Sequence, residues 1–356
     1  MHHTILHLSC ISGVGSQSIL RIHNALGPHQ ISRIYCMSVA DIQACGISQR
    51  VAQRVYDGLT DISIRDRELR AVDRVGARYV TIADEAYPHY LWNISTPPPV
   101  LYYYGASLNM CEPSVAYVGS HKAGAYARRV IDHMMPDIVA HNYTVVSGGA
   151  YGADTFAHQA ALRHGGVTAA VLGSGLGHPY PHGNRRLFRH ICQSGGVVIS
   201  PFAVDTKAHA HNFPIRNRVI AGLSTGVVVV QAARQSGAHI TASYALDAGR
   251  DVGAVPGHID DPLSDGVHEL IRNGASMITS GADVIHMCGG DYQRARPASH
   301  VAHEEDPIVA LCRTPQQFDA LLAHTGMEFT HLQTRLMELQ LAGKITQDMS
   351  GCWLAC

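Results

Sequence analysis

Between residues 115 and 255, short unbroken apolar runs alternate with stretches of helical spacing. The runs are Val115–Val118, Thr144–Val146, Ala169–Leu172, Val197–Ile199, Val227–Val230 and Val252–Val255. Runs without polar alternation suit strands buried on both faces, and strand–helix alternation predicts α/β architecture: a doubly wound, mainly parallel, extended Rossmann-like sheet. The first segment reads instead as short helices. Ile19, Ile22, His23 and Leu26 recur at helical spacing until Gly27-Pro28 stops the run.

Gly13-Val14-Gly15 opens that helix and Cys45-Gly46-Ile47 precedes another. Such a glycine turn is either a helix-hairpin-helix element, which presents backbone N–H groups to a phosphate, or an ordinary helical turn. At the other end, helical patterns at Pro307–Leu311, Pro315–Ala323 and Thr330–Leu341 precede a turn at Gly343 and a strand-like Cys352–Leu354, a winged-helix outline. The cluster Pro97-Pro98-Pro99 and a polar stretch near 289–306 read as joints, and the chain is expected to comprise a small helical domain (1–75), the sheet-bearing core (76–288), a linker (289–306) and a winged-helix-like domain (307–356).

Composition narrows the class. With 46% hydrophobic and 15% charged residues over 356 positions, the chain has the makeup of a globular protein of two or three domains. A formal charge of −1 gives no support for a polyanion partner from the chain as a whole, so any such case rests on local sites. The last segment, 300–356, carries 3 basic against 7 acidic residues. That makes it a poor reader of DNA grooves, and a packing or partner-binding role suits it better. The nine cysteines are scattered without a CxxC pair, which reads as reduced thiols rather than a disulfide framework or zinc site. No basic residue precedes the short N-terminal apolar run, and no stretch approaches the ~18 apolar residues of a membrane span. A cytoplasmic protein without membrane insertion is expected.

Candidate chemistry lies where the runs end in small residues. Ser147-Gly148-Gly149-Ala150-Tyr151-Gly152-Ala153-Asp154 joins a strand to a helix. Its small residues admit an anion to the backbone, and the helix start aims N–H groups at it; the alternative is a tight turn without ligand. Gly119-Ser120-His121-Lys122 repeats the arrangement after the preceding strand, so that two adjacent loops would cradle neighbouring phosphates. Neither loop is a Walker A sequence or a GxGxxG fingerprint. Phe213, Arg216, Asn217 and Arg218 offer a ring for stacking, guanidinium groups for phosphate and an amide for sugar or base, with one of the two arginines expected to be structural. Ser236, Gly237 and Thr241 form another small-residue loop entering a helix, and His182, Asn184 and Arg185 add polar and positive groups after the third run. Asp154 is expected to cap its helix or bind backbone N–H groups. No nucleophile elbow, HExxH or paired carboxylates occur, so no catalytic residue, metal ligand or cofactor is assigned.

In order, these motifs resemble the DNA-processing protein A family (DprA, also called Smf). They run from Val118-Gly119-Ser120 and Val146–Asp154 through Asn184-Arg185-Arg186-Leu187 and Asn212–Ser224 to Val255-Pro256-Gly257, spanning about 115–285. The resemblance implies a non-catalytic, single-stranded DNA-binding core. It also implies a role in protecting incoming strands and loading the recombinase RecA during natural transformation, and a homodimer. The sequence departs from the family in having His121 and Tyr151 where arginines are usual, Gln231 where Glu is usual and Ser200-Pro201 where Ser-Glu is usual. Two lost direct arginine contacts would cost about 1–3 kcal/mol each. Stacking on Tyr151 would return roughly 1–3 kcal/mol per base. His121 restores charge only when protonated, so DNA binding is expected to be tighter at pH 6 than at pH 8. The alternative is a phosphoribohydrolase-like nucleotide enzyme on the same fold. It requires a general acid or base where this chain has the neutral amide of Gln231.

Overall fold

In the computed structural model, which describes residues 2–108, 112–234, 236–292, 306–312, 314–341, 344–348 and 351–355, the first segment folds into five α-helices. These are α1 (His2–Cys10), α2 (Ser16–Leu26), α3 (Val39–Ala44), α4 (Gln49–Leu59) and α5 (Ile62–Val75). Local chemistry sets their ends. Ser38 and Asp41 close a reciprocal capping box on α3, and Asp61 accepts from the Ser63 N–H at the start of α5. Gly13 and Gly46 turn the chain between α1 and α2 and between α3 and α4 with left-handed φ of 80° and 84°.

The chain then enters β1 (Arg78–Thr81), β2 (Val100–Gly105) and β3 (Ser114–Val118). From there strands and helices alternate: α6 (Ala125–Ala140), β4 (Thr144–Ser147), α7 (Ala153–Arg163), β5 (Thr168–Val171), α8 (Arg185–Gln193), β6 (Val197–Ser200), α9 (Asn212–Leu223), β7 (Gly226–Val229), α10 (Gly237–Asp247), β8 (Asp251–Ala254), α11 (Asp265–Arg272), β9 (Ser276–Met277) and α12 (Gly281–Met287). Among the described residues nine strands form one sheet, ordered β1-β2-β6-β5-β4-β3-β7-β8-β9. The six expected strands are all present, each within a residue of its apolar run. The sequence reading lacked β1, β2 and β9. β2 runs antiparallel to both β1 and β6, and the other pairings are parallel.

Alternate residues of the central strands serve two separate cores. Val115 and Tyr117 pack with Ile131 and Met134 of α6 and Ile285 of α12. Ala116 and Val118 face a larger core that runs from Phe188, Val219 and Ala242 to Ile5, Ile22 and Val55 of the helical segment. The helices therefore share one continuous core with the sheet, and residues 1–294 form one compact unit. Most of the linker expected at 289–306 lies outside the described residues.

The second unit, residues 295–356, contains α13 (Pro307–Leu311), α14 (Phe318–Thr325), α15 (Phe329–Leu341) and an antiparallel pair, β10 (Ile345–Gln347) and β11 (Trp353–Ala355). Leu321, Leu332, Leu336 and Trp353 centre its own core. The three helices followed by a hairpin make the winged-helix outline expected from the sequence.

Candidate functional site

The strand order places a topological switch between β3 and β7. Chain connections leave β3 toward β4, β5 and β6 on one side and β7 toward β8 and β9 on the other. Helices following the two adjacent strands depart to opposite faces, which opens a crevice at their carboxyl ends. Two adjoining hollows occupy it, of about 490 and 140 Å³. They share His121, Phe213 and Arg216 as walls, so they form one groove.

The loop after β3 is pinned from below. The Ser120 N–H donates to the Gln231 carbonyl (2.6 Å), the Lys122 N–H to Ser120 Oγ (3.1 Å), and the Gly124 N–H to Gln231 Oε1 (3.1 Å). Gln231 in turn donates from Nε2 to Asp261 (2.9 Å) and is buried. These bonds project the exposed side chains of His121 and Lys122 at the groove mouth.

The loop after β4 forms the floor. Ser147 is buried, its hydroxyl donating to the Tyr117 carbonyl (2.6 Å). Asp154, at the start of α7, accepts the N–H groups of Gly148 and Ala150 (3.1 and 3.3 Å), so these donors face the carboxylate rather than a ligand. Gly152 has φ of 73°, and a Cβ there would strike the Ser120 carbonyl and the His121 backbone. Gly152→Ala is therefore expected to destabilise the core by about 1–3 kcal/mol in urea unfolding, and an unchanged midpoint would refute this packing. Asn184 is buried and supports the loop, donating to the Gly149 carbonyl (2.9 Å) and Thr155 Oγ1 (2.8 Å).

Helix α9 supplies the third wall and separates its two arginines. Arg216 is buried beneath the groove and donates to the Gly148 and Val171 carbonyls and to Asn217 Oδ1. A Cβ on Gly148 would collide with its guanidinium, so glycine there admits the arginine. Arg216 lies beside Asp154, and burial disfavours both charges. It pushes the Asp154 carboxyl up and the Arg216 guanidinium down, each offset in part by the other's charge. Arg218 instead lies over the Tyr244 ring, 4.8 Å from its centroid. The arginine expected to be structural is thus Arg216, though it still lines the groove.

Ser236 caps α10 by accepting the Ala238 N–H, and Ser236, Gly237, Thr241 and Asn217 complete the larger hollow. The smaller hollow is aromatic. Tyr151 is 52% exposed, and Tyr180 stands 6.2 Å from the Phe213 ring. Tyr180, Pro181 and Leu263 are lining residues that were not assigned from sequence. The first two immediately precede His182, whereas nothing in the sequence marks Leu263. His182 and Arg185 are exposed, His182 6.1 Å from Tyr180 and Arg185 at the first residue of α8. Among the described residues no group of three His, Cys, Asp or Glu side chains is placed to hold a metal, and no helix is long and apolar enough to cross a membrane.

Comparison with known proteins matches this architecture. The profile of the DNA recombination-mediator protein A family matches residues 78–289, and that of the DprA winged helix domain matches residues 293–349. The chain is 36% identical over 277 residues to DNA processing protein DprA of Streptococcus pneumoniae, covering 77% of this chain and 94% of that protein. It is 32% identical over 362 residues to protein Smf of Escherichia coli, covering 97% and 94%. The X-ray structure of the Streptococcus pneumoniae protein superposes with a TM-score of 0.71 at 33% identity, covering 82% of this chain and 99% of that one. DNA processing protein A of Helicobacter pylori, whose structure is described for its single-stranded DNA binding mode, superposes with a TM-score of 0.54 at 27% identity, covering 61% and 98%.

Proposed function

The chain belongs to the DNA recombination-mediator protein A family, DprA/Smf, and on that premise we propose that its groove binds single-stranded DNA without catalysing a reaction on it. The observation that carries this reading is the adjacency of two kinds of contact at the switch point. The exposed Lys122 offers charge and the exposed His121 a polar ring to phosphates, and Tyr151, Tyr180 and Phe213 offer rings to bases. A phosphodiester chain with unstacked bases uses both at once. The acid of the groove, Asp154, is buried and engaged with two backbone N–H groups, and the groove is tied to its neighbours by the neutral Gln231. Neither supports general acid–base work on a nucleotide. We further infer, from the family resemblance, that the protein protects incoming strands in the cytoplasm and helps load RecA onto them during natural transformation, as a homodimer.

Fluorescence anisotropy of a labelled poly-dT strand across a salt series, with a duplex control, tests the groove. Each neutralised phosphate contributes a log–log slope of about −0.7 on a single strand. With Lys122 as its exposed permanent cation and Arg216 charge-paired with Asp154 beneath it, the groove is expected to give a shallow slope of about −0.7, and Lys122→Ala to remove most of it. Equal affinity for duplex and single strand, or release of free base from a nucleoside monophosphate, would overturn the reading.

A further inference from the structure

We propose that the single-stranded DNA path continues beyond the groove, along the same edge of the sheet, to a cleft beside Trp92 whose second wall is helix α2. This rests on the DNA-binding reading above and extends it to residues outside the groove. β1 is antiparallel to β2, and β2 is antiparallel to β6, so β1 points the same way as the parallel strands. Ile82, which follows β1, therefore leaves at the carboxyl edge. The Pro97–Pro99 segment enters β2 at that same edge, because Val100 pairs with Thr81.

A cleft of about 420 Å³ opens there, lined by Gln17, Arg21 and Asn24 of α2 and by Ile82, Trp92 and Pro97. Between it and the groove, a hollow of about 110 Å³ lies at the ends of β2 and β6, with Pro99, Tyr102, Pro201 and Ala203 in its walls. From β1 to β3 there are five strand spacings, or about 24 Å. Single-strand sites on OB folds hold about 4–16 nucleotides, a scale that a path of this length meets.

Trp92 is 43% exposed, although Tyr87 packs edge-on against it at 5.9 Å and His23 lies 6.1 Å away. The residues facing it across the cleft, Gln17, Arg21 and Asn24, are spaced four and three apart, so they share one face of α2, and all three are exposed. Arg21 is held in place by donating to the Gly46 carbonyl (2.8 Å). Asp84, two residues beyond Ile82, accepts the Thr81 N–H and hydroxyl. An indole, a fixed guanidinium and two amides are the groups that stack a base, neutralise a phosphate and bond a base edge.

The sequence contains two tryptophans, and the other, Trp353, is buried in the core of the second unit. In the full chain with Trp353→Phe, intrinsic fluorescence therefore reports Trp92. Titration with an oligo-dT of about 15 nucleotides is expected to quench it, and one of about 3 nucleotides, too short to reach across about 24 Å, to quench it far less. Trp92→Ala is expected to weaken the longer oligonucleotide by roughly 5- to 150-fold, the range of one lost base stack, with the shorter one unchanged. The exposed-site variant Arg21→Glu, which leaves the apolar packing intact, is expected to act in the same direction. Unchanged long-strand affinity in both variants would overturn the path while leaving the groove in place, as would quenching by thymidine monophosphate at the affinity of the long strand. Failure of the unsubstituted chain to bind either oligonucleotide would instead sink the DNA-binding reading, and this inference with it.

Discussion

Arg216→Met is expected to destabilise the sheet-bearing unit by about 3–5 kcal/mol, the cost of leaving a buried charge without its partner. In the native protein the Arg216 guanidinium lies beside the buried Asp154 carboxylate and ties together the ends of two strands through the Gly148 and Val171 carbonyls. Methionine fills much of the volume but leaves Asp154 charged in a low-dielectric floor, and it frees two carbonyls. Adding Asp154→Asn should recover most of the loss. The amide oxygen still accepts the Gly148 and Ala150 N–H groups, and no net charge remains buried. Urea unfolding of the single and double variants measures this. A single-variant cost below 1 kcal/mol would show that the guanidinium does not hold the floor, and its burial would then need another explanation. The double variant separates structure from DNA contact. If it folds well yet binds poly-dT weakly, Arg216 also serves the ligand.

Lowering the pH from 7 to 5 is expected to remove about 2 kcal/mol of stability through His158 alone. This histidine is fully buried. Its Nδ1 meets Thr168 Oγ1 at 2.6 Å, and that hydroxyl donates to the Val145 carbonyl, so Nδ1 carries the proton. Nε2 has no hydrogen-bond partner among the described residues. Burial, with a smaller push from the Arg216 charge, pulls the His158 pKa from 6.5 down to about 3. Below about 6.5 the unfolded chain takes up a proton that the folded protein refuses until about pH 3, so stability is fully present above 6.5 and declines as pH falls. At pH 5 the gap is about 1.5 pH units at 1.36 kcal/mol each. His7 and His23, also pulled down by burial, act with the same sign. His158→Gln should flatten the decline between pH 7 and 5 by about that amount. Identical pH profiles for the two proteins would refute the assignment.

The six central strands and the loops at their ends were legible because the signals are local. A strand buried on both faces needs an unbroken apolar run, and a loop that admits an anion or another backbone needs small residues at fixed places. Gly148 and Gly152 answer to that second need, although what approaches them is protein: the Arg216 guanidinium and the loop after β3. β2 gives no separate strand signal because its run follows the Pro97-Pro98-Pro99 cluster, which reads as a joint. Its antiparallel place between β1 and β6 depends on partners far away in the chain. The loops also offer fewer free backbone donors than their small residues suggest. The N–H groups of Gly148, Ala150, Ser120 and Lys122 are taken up by Asp154, Gln231 and Ser120, and the sequence does not reveal which acceptor lies within reach.

By itself the sequence determined the doubly wound core, the helical segment before it, the winged-helix outline after it, and the order of glycine loops at one sheet edge. Tertiary structure alone decided what each charged or aromatic group at that edge does. Arg216 and Arg218 stand two residues apart in one motif, yet a helix turns successive side chains about 100° apart. One therefore enters the floor beside Asp154, and the other lies over Tyr244. The cleft at Trp92 joins residues 17–24 to residues 82–97, which meet only because the helices and the sheet share one core. Periodicity records how a segment meets its own surroundings. Burial, charge pairing and shared cavities depend on what arrives from elsewhere in the chain.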